Sequence, residues 1–303
     1  MDDLAEPESL PGRDLARLSF GFLLDELTNG MAGLEPLDAL LVLAINQANI
    51  APLTRDPAAR ARYGQLDAPA LDAERRPVSI NAVAGSLGLA FETARRRIRR
   101  LVEEGVCMMS PEGVVVPASF LASPAYLQSV LTGHERLRRF YADLRAAGLV
   151  EGLPPPAYEL EGSVPVRAAA RLLSDYVLRT SEGLARLAGN VVSQLVLVAL
   201  VAAALREPGE RGAGPQAMRA VAGVLRLPAE TVRRHVSELT DAGLCARVPG
   251  GLVAPREALA RPGLSQLLAD NAANVQRLLA GLAERGVILA WETGGALDGR
   301  QTA

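Results

Sequence analysis

The sequence predicts a mainly α-helical protein with two small β-hairpins, built as two tandem copies of one unit. Three observations lead there. Residues 82–117 and 220–255 align without a gap at a constant offset of 138, and 17 of those 36 positions are identical. Apolar residues recur at helical spacing through most of each copy. Each copy also sets a Pro-x-Gly between two short β-prone runs, in "CMMSPEGVVVP" and "CARVPGGLVAP", the pattern of a hairpin.

The elements follow in the same order in both copies. A first helix is predicted over 13–28 and again over 166–185. A second, very apolar one covers 36–50 and 190–205. Upstream of the gapless block the copies match at an offset of 154, as in "ARL" at 16–18 and 170–172. The first copy therefore carries about 16 extra residues within the Pro- and charge-rich stretch 51–77, which reads as a loop. A short helix over 79–87 or 215–225 comes next, with Ser79 as its N-cap. A tight connection, "GLA" or "RLP", leads into "FETARRRIRRLVEEGVC" or "AETVRRHVSELTDAGLC". After the hairpin, a long amphipathic helix places Leu127, Leu131, Leu137, Phe140 and Leu144 on one stripe. In the second copy Leu264, Leu268, Val275, Leu278 and Leu282 do the same.

The chain has 303 residues, 49% of them hydrophobic, enough for two domains with a core each. The boundaries predicted are 10–149 for the first copy, 150–165 for a Pro-rich linker, 166–290 for the second copy and 291–303 for a tail. The terminal helices of the two copies are expected to pack about a pseudo-two-fold axis. Aromatic residues make up only 4%, so Leu, Val and Ala must fill the interior. All basic residues are arginine, and the net charge of −2 gives no global attraction to nucleic acid. The start, "MDDLAEPESL", lacks the basic flank and apolar stretch of a signal peptide. The apolar run 191–205 is too short for the ~20 residues of a membrane span. A cytoplasmic location is expected, without a membrane partner. Cys107 and Cys245 sit at equivalent places and read as small buried residues.

Helix, tight turn, helix and hairpin is the order of a winged helix-turn-helix. In its second helix Ala94, Ile98 and Leu101, or Val232, Val236 and Leu239, share one stripe. That leaves Phe91, Glu92, Thr93, Arg95, Arg96, Arg99 and Arg100 to face outward, with Glu230, Thr231, Arg233, Arg234 and His235 as their counterparts. Such a helix fits the major groove, which is about 12 Å wide, with its first turns at the base edges. The bidentate arginine fork suits guanine, whereas Arg99 and Arg100, further along, suit phosphates. The local charge is +4 over 90–100, from five Arg and one Glu. Over 228–238 it is zero, from two Arg and two Glu.

The run "VAGSLGLAFETARRRIRRLVEEGVC" resembles the DNA-binding domain of MarR-, GntR- and IclR-type bacterial regulators. There a V-A-x-x-L-G-L segment precedes T-V-x-R and a closing E-G-L. The element order is most similar to a MarR-like protomer. The resemblance covers about 36 residues per copy and implies transcriptional regulation at double-stranded operator DNA, close to the nucleoid. Such families act as homodimers; two copies in one chain suggest a fused pseudo-dimer, with further homodimerisation left open. An unidentified small-molecule or protein effector also stays open, because Tyr126, Phe140, Tyr141 and Trp291 suit either a pocket or plain core. The rival is a protein–protein adaptor similar to the chromosome-segregation subunit ScpB, whose tandem winged helices bind protein. A replication initiator with two winged helices is a third option.

No enzyme is expected. The sequence has no phosphate-cradling glycine loop, nucleophile elbow or metal motif, and so neither catalytic residues nor cofactors are assigned. His134 and His235 have no Cys or carboxylate at ligand spacing, so no metal site is expected.

Overall fold

A computed structural model describes residues 12–294, apart from 32, 57–58, 60–61, 158–163 and 260. The ends of the predicted first domain and tail, residues 10–11 and 295–303, and the middle of the predicted linker lie outside the described residues. The protein is mainly helical, with two small antiparallel two-stranded sheets.

The first repeat runs α1 (Arg13–Asn29), α2 (Pro36–Ile50), α3 (Ile80–Ser86), α4 (Phe91–Glu103), β1 (Met108–Ser110), β2 (Gly113–Val115), α5 (Ala118–Leu121) and α6 (Pro124–Ala146). The second runs α7 (Val166–Ala188), α8 (Val191–Leu205), α9 (Met218–Leu225), α10 (Ala229–Asp241), β3 (Ala246–Val248), β4 (Gly251–Val253), α11 (Arg256–Leu259), α12 (Pro262–Glu284) and α13 (Val287–Thr293). The 51–77 stretch of the first repeat holds two 3-10 turns, Leu53–Arg55 and Asp72–Glu74. Trp291, placed by the sequence at the start of a tail, belongs to α13.

Local chemistry fixes the ends of these helices. Ser79 Oγ accepts from the backbone N–H of Ala82, capping α3 as expected. Asn190 caps α8 by accepting from Val192 and Ser193. Pro36 and Pro124 open α2 and α6, where the missing N–H costs nothing.

Both hairpins have the same register, Ser110 opposite Gly113 and Val248 opposite Gly251. Each gains one more bridge, from Val78 to Val114 and from Gln216 to Leu252. Gly113 lies at φ 145°, and a Cβ there would stand 2.4 Å from Val78 O. Only glycine lets the preceding segment approach this closely. In the α3–α4 turn Gly88 has φ 61°, and its counterpart Arg226 adopts φ 50°. That residue is held in place by donating to Thr28 O and to Leu34 O at 3.2 Å, both in the first repeat.

The two repeats do not keep separate interiors. One apolar cluster takes in α1, α6, α7, α8, α10, α12 and α13, and a smaller one belongs to the first repeat's α2–α5 region. Contacts between the repeats are reciprocal: α1 lies on α8 and α12, as α7 lies on α2 and α6. The terminal helices thus meet the other repeat's first helix, and α1 also touches α7. The reason lies in α1 and α7, which are apolar over more than one face. Among their buried residues are Phe20, Phe22, Leu23 and Leu27 in α1, and Ala169, Leu173, Tyr176 and Val177 in α7.

Among the described residues no single helix is long and apolar enough to cross a membrane. Helices α7 and α8 meet the requirement only as a pair, and that pair is bent by 101°. Of the 15 residues of α8, 13 are buried inside the protein.

Candidate nucleic-acid interface

Helix α4 sits on α3 through Ala94, Ile98 and Leu101, all fully buried with Val83 and Ala84. This packing turns Phe91, Glu92, Arg95, Arg96, Arg99 and Arg100 outward, with Thr93 half-buried. Arg95 pairs with Glu92 at 3.1 Å, three residues back on the same exposed face. Such a pair is worth little in water and leaves the arginine available. Neither Arg96 nor Arg99 has a hydrogen bond or ion pair among the described residues.

The fifth arginine of the helix turns inward. Arg97 donates to Asp38 Oδ1 at 2.8 Å and to Glu35 Oε2 at 3.0 Å. Asp38 stands in the first turn of α2 with its side chain 2% exposed. Arg100 also donates to Asp38, and faces Glu35 at 3.7 Å and Glu104 at 3.7 Å. The reading of Arg100 as suited to a phosphate is corrected in part: its side chain is exposed, but the carboxylates of Asp38 and Glu35 hold it. Five arginines against Glu92, Glu35, Asp38 and Glu104 leave a local charge of +1 (5 − 4). That is lower than the +4 read over 90–100, because Glu104 lies just past that window and Glu35 and Asp38 come from a distant part of the chain.

In the second repeat Val232, Val236 and Leu239 bury α10 on α9. Glu230 and Arg233 pair on the exposed face at 2.8 Å, Arg234 is exposed and Thr231 is half-buried. His235 is another correction: it is only 6% exposed and faces the interior. Its Nδ1 lies 2.9 Å from both Ser193 Oγ and Glu238 Oε2, and its Nε2 lies 3.2 Å from Arg234 Nη2. Burial pushes the Glu238 carboxyl up, but hydrogen bonds from His235, Ser193 and Asn190 outweigh this and hold it below the usual range.

The two corrections have one cause. His235 matches Arg97 and Glu238 matches Arg100, so both repeats use these two positions to join α4 or α10 to the start of the repeat's second helix, α2 or α8. The first repeat places arginines on α4 and acids at the start of α2, Glu35 as its N-cap residue and Asp38 in its first turn. The second places His and Glu on α10 and hydroxyl and amide groups at the start of α8. The signal in the sequence was Asp38, the only charged residue of α2, set in its first turn.

The two cysteines are buried and free. Burial pushes the Cys107 thiol up to about 12, and Asp38 adds to the shift. Held as a thiol, it has none of the thiolate character that reactivity requires. Trp291, Tyr141 and His134 form a cluster in which the indole N–H donates to His134 Nε2 at 2.9 Å. Phe140 stacks on Phe22 at 4.3 Å. Among the described residues no group of three His, Cys, Asp or Glu could hold a metal ion.

No protein-family model, curated protein or solved structure matches the chain.

Proposed function

We propose that the protein is a transcriptional regulator that binds double-stranded DNA through two winged-helix heads carried in one chain. The observation behind this reading is the outward face of α4, where Arg95, Arg96 and Arg99 remain available beside a two-stranded hairpin. Helix α4 would enter the major groove, with Arg95 and Arg96 near base edges and Arg99 at a phosphate. The reciprocal helix contacts support a pseudo-two-fold arrangement, the symmetry that matches two half-sites about 34 Å apart. The first head would supply most of the affinity, since α4 exposes Arg95, Arg96 and Arg99 where α10 exposes only Arg233 and Arg234.

The adaptor reading rests on a different observation. The second head exposes Val224 (47%) on α9 and Val248 (38%) on its hairpin, beside a nearly neutral reading helix. Mobility shifts on genomic fragments, followed by footprinting, separate the two. Protection of two successive major grooves supports the regulator, and no binding even at low salt supports the adaptor.

A further inference from the structure

The buried charges of the molecule do not balance in one place. Arg75, from the 51–77 stretch, and Arg167 are each only 6% exposed, and Arg171 lies one helical turn beyond Arg167 on α7. All three line one small cavity together with Asn46, Tyr126 and Ser174. Every hydrogen bond these guanidinium groups make among the described residues goes to a neutral oxygen. Arg75 donates to Ala70 O and Asn46 Oδ1, each at 3.1 Å. Arg167 donates to Leu66 O and Leu121 O, and Arg171 to Tyr63 O. Among the described residues the one carboxylate within ion-pair range is Asp72, 3.8 Å from Arg75 and 43% exposed; Asp67 acts on Arg167 only from further away. Glu74 is engaged with the Tyr63 hydroxyl at 2.6 Å.

Buried cations are normally paired with an anion, since removing a charge from water is costly. The protein itself provides the comparison. Arg167 and Arg171 match Arg13 and Arg17 of the first repeat at the offset of 154. There Arg13 faces Glu207 at 3.7 Å, and Arg17 faces Glu207 at 4.0 Å and Glu210 at 3.7 Å. These glutamates follow α8, as the 51–77 stretch follows α2. In that stretch the chain offers carbonyl oxygens and a third arginine where the other side offers two acids.

We propose that Arg75, Arg167 and Arg171 form a binding site for one small anion, a halide or a carboxylate group, at the joint between the two repeats. The cavity volume of about 20 Å³ has room for roughly one water-sized group. Chloride or the carboxylate head of formate is of that size; sulfate and phosphate are larger. The unused N–H groups of the guanidinium forks supply the hydrogen bonds such an anion needs. Burial, with the other two arginines close by, pushes Arg171 down to about 10, and a bound anion would offset this. Because Arg75 comes from the first repeat and Arg167 and Arg171 from the second, the anion would tie the repeats together. The inference does not depend on DNA binding.

The test uses the full chain in chloride-free buffer, with sodium sulfate holding ionic strength constant. Formate and chloride are each titrated in by calorimetry, and thermal unfolding is followed alongside. One formate per chain should bind saturably, raise Tm by a few degrees and be displaced by chloride. Arg171→Gln should weaken that binding at least tenfold. Should this variant not fold, crystals of the wild-type chain soaked in bromide give an independent readout: an anomalous peak among the three guanidinium groups is expected. A wild-type chain that binds neither formate nor chloride overturns the proposal, as does a cavity without bromide. Undiminished binding by folded Arg171→Gln overturns it too.

Discussion

Phe22 and Tyr176 meet with ring centroids 6.1 Å apart, and they hold the same position in the two repeats, 154 residues apart. A residue that touches its own counterpart marks where a two-fold axis would pass, and the surrounding pairs follow suit. Ser19 of α1 accepts from Asn271 of α12 at 2.6 Å; the matching places, Leu173 and Gly133, also meet, with 3.8 Å between Leu173 and a Cβ built on Gly133. Within each repeat Glu26 pairs with Arg136 at 2.5 Å where Thr180 and Asn274 pair at 3.4 Å. The first repeat's ion pair has become an amide–hydroxyl contact, with the geometry kept.

This joint gives the first prediction. Asn271 also accepts from the Tyr176 hydroxyl at 3.1 Å, so it links both first helices to α12 in a fully buried place. Asn271→Ala leaves Ser19 and Tyr176 short of a partner, at about 1–3 kcal/mol. Because one cluster spans both repeats, urea unfolding should stay a single transition with a lower midpoint. Two separated transitions would show that the repeats fold independently.

A second prediction concerns the outward arginines and rests on the proposed function. Arg95→Ala and Arg96→Ala should each cost about 1–3 kcal/mol if the side chain reads a base, and relax choice at one position. Arg99→Ala should weaken binding to all sequences alike and lower the salt slope by about one. Arg100→Ala should do less than Arg99→Ala, since Asp38 and Glu35 already neutralise it. Affinities for a defined operator across a salt series decide this; wild-type binding by both Arg95→Ala and Arg96→Ala would leave the face a solvated one.

Third, Asp38→Asn should lower stability and raise DNA affinity together. The change removes the buried charge facing Arg97, whose side chain is 18% exposed, and leaves Glu35 alone there. A loss of about 2 kcal/mol in urea unfolding is expected, nearer the hydrogen-bond range than a full charge deletion because Asn still accepts. Arg100, released toward solvent, should add up to about one unit to the salt slope. Unchanged stability would mean the Asp38 contact contributes nothing.

The sequence made the repeated order of elements legible because hydrophobic period, caps and Pro-x-Gly turns are local signals. Ser79 capped where it should, and Ala94, Ile98 and Leu101 were buried as their stripe required. Position 97, three after Ala94 and four before Leu101, lies at the edge of that stripe. Spacing alone does not say whether an edge position meets water or a neighbouring helix. So Arg97 and its counterpart His235 were settled by α2 and α8, 59 and 42 residues away. The same limit hid the meeting of α1 with α7. An apolar stripe shows that a helix needs a partner but not which one, and the terminal helices carried an equally good stripe.

The last prediction uses His134, a buried imidazole whose Nε2 accepts from Trp291 and whose Nδ1 has no partner among the described residues. Burial pushes its pKa down to about 4 from 6.5. Above pH 6.5 the imidazole is neutral whether folded or unfolded, so it contributes no pH dependence. Between pH 6.5 and about 4 the unfolded chain takes up the proton and the folded one does not. Stability should therefore fall as pH drops through this window, by up to about 3 kcal/mol from this one group. His134→Leu removes the titration: it should be less stable at pH 7, where Trp291 loses its acceptor, but flatter between pH 6.5 and 4. Trp291 is the only tryptophan, so its fluorescence reports the ring directly. In the folded protein the signal should change with a midpoint near pH 4. A midpoint near 6.5 would place His134 in contact with water and overturn the argument.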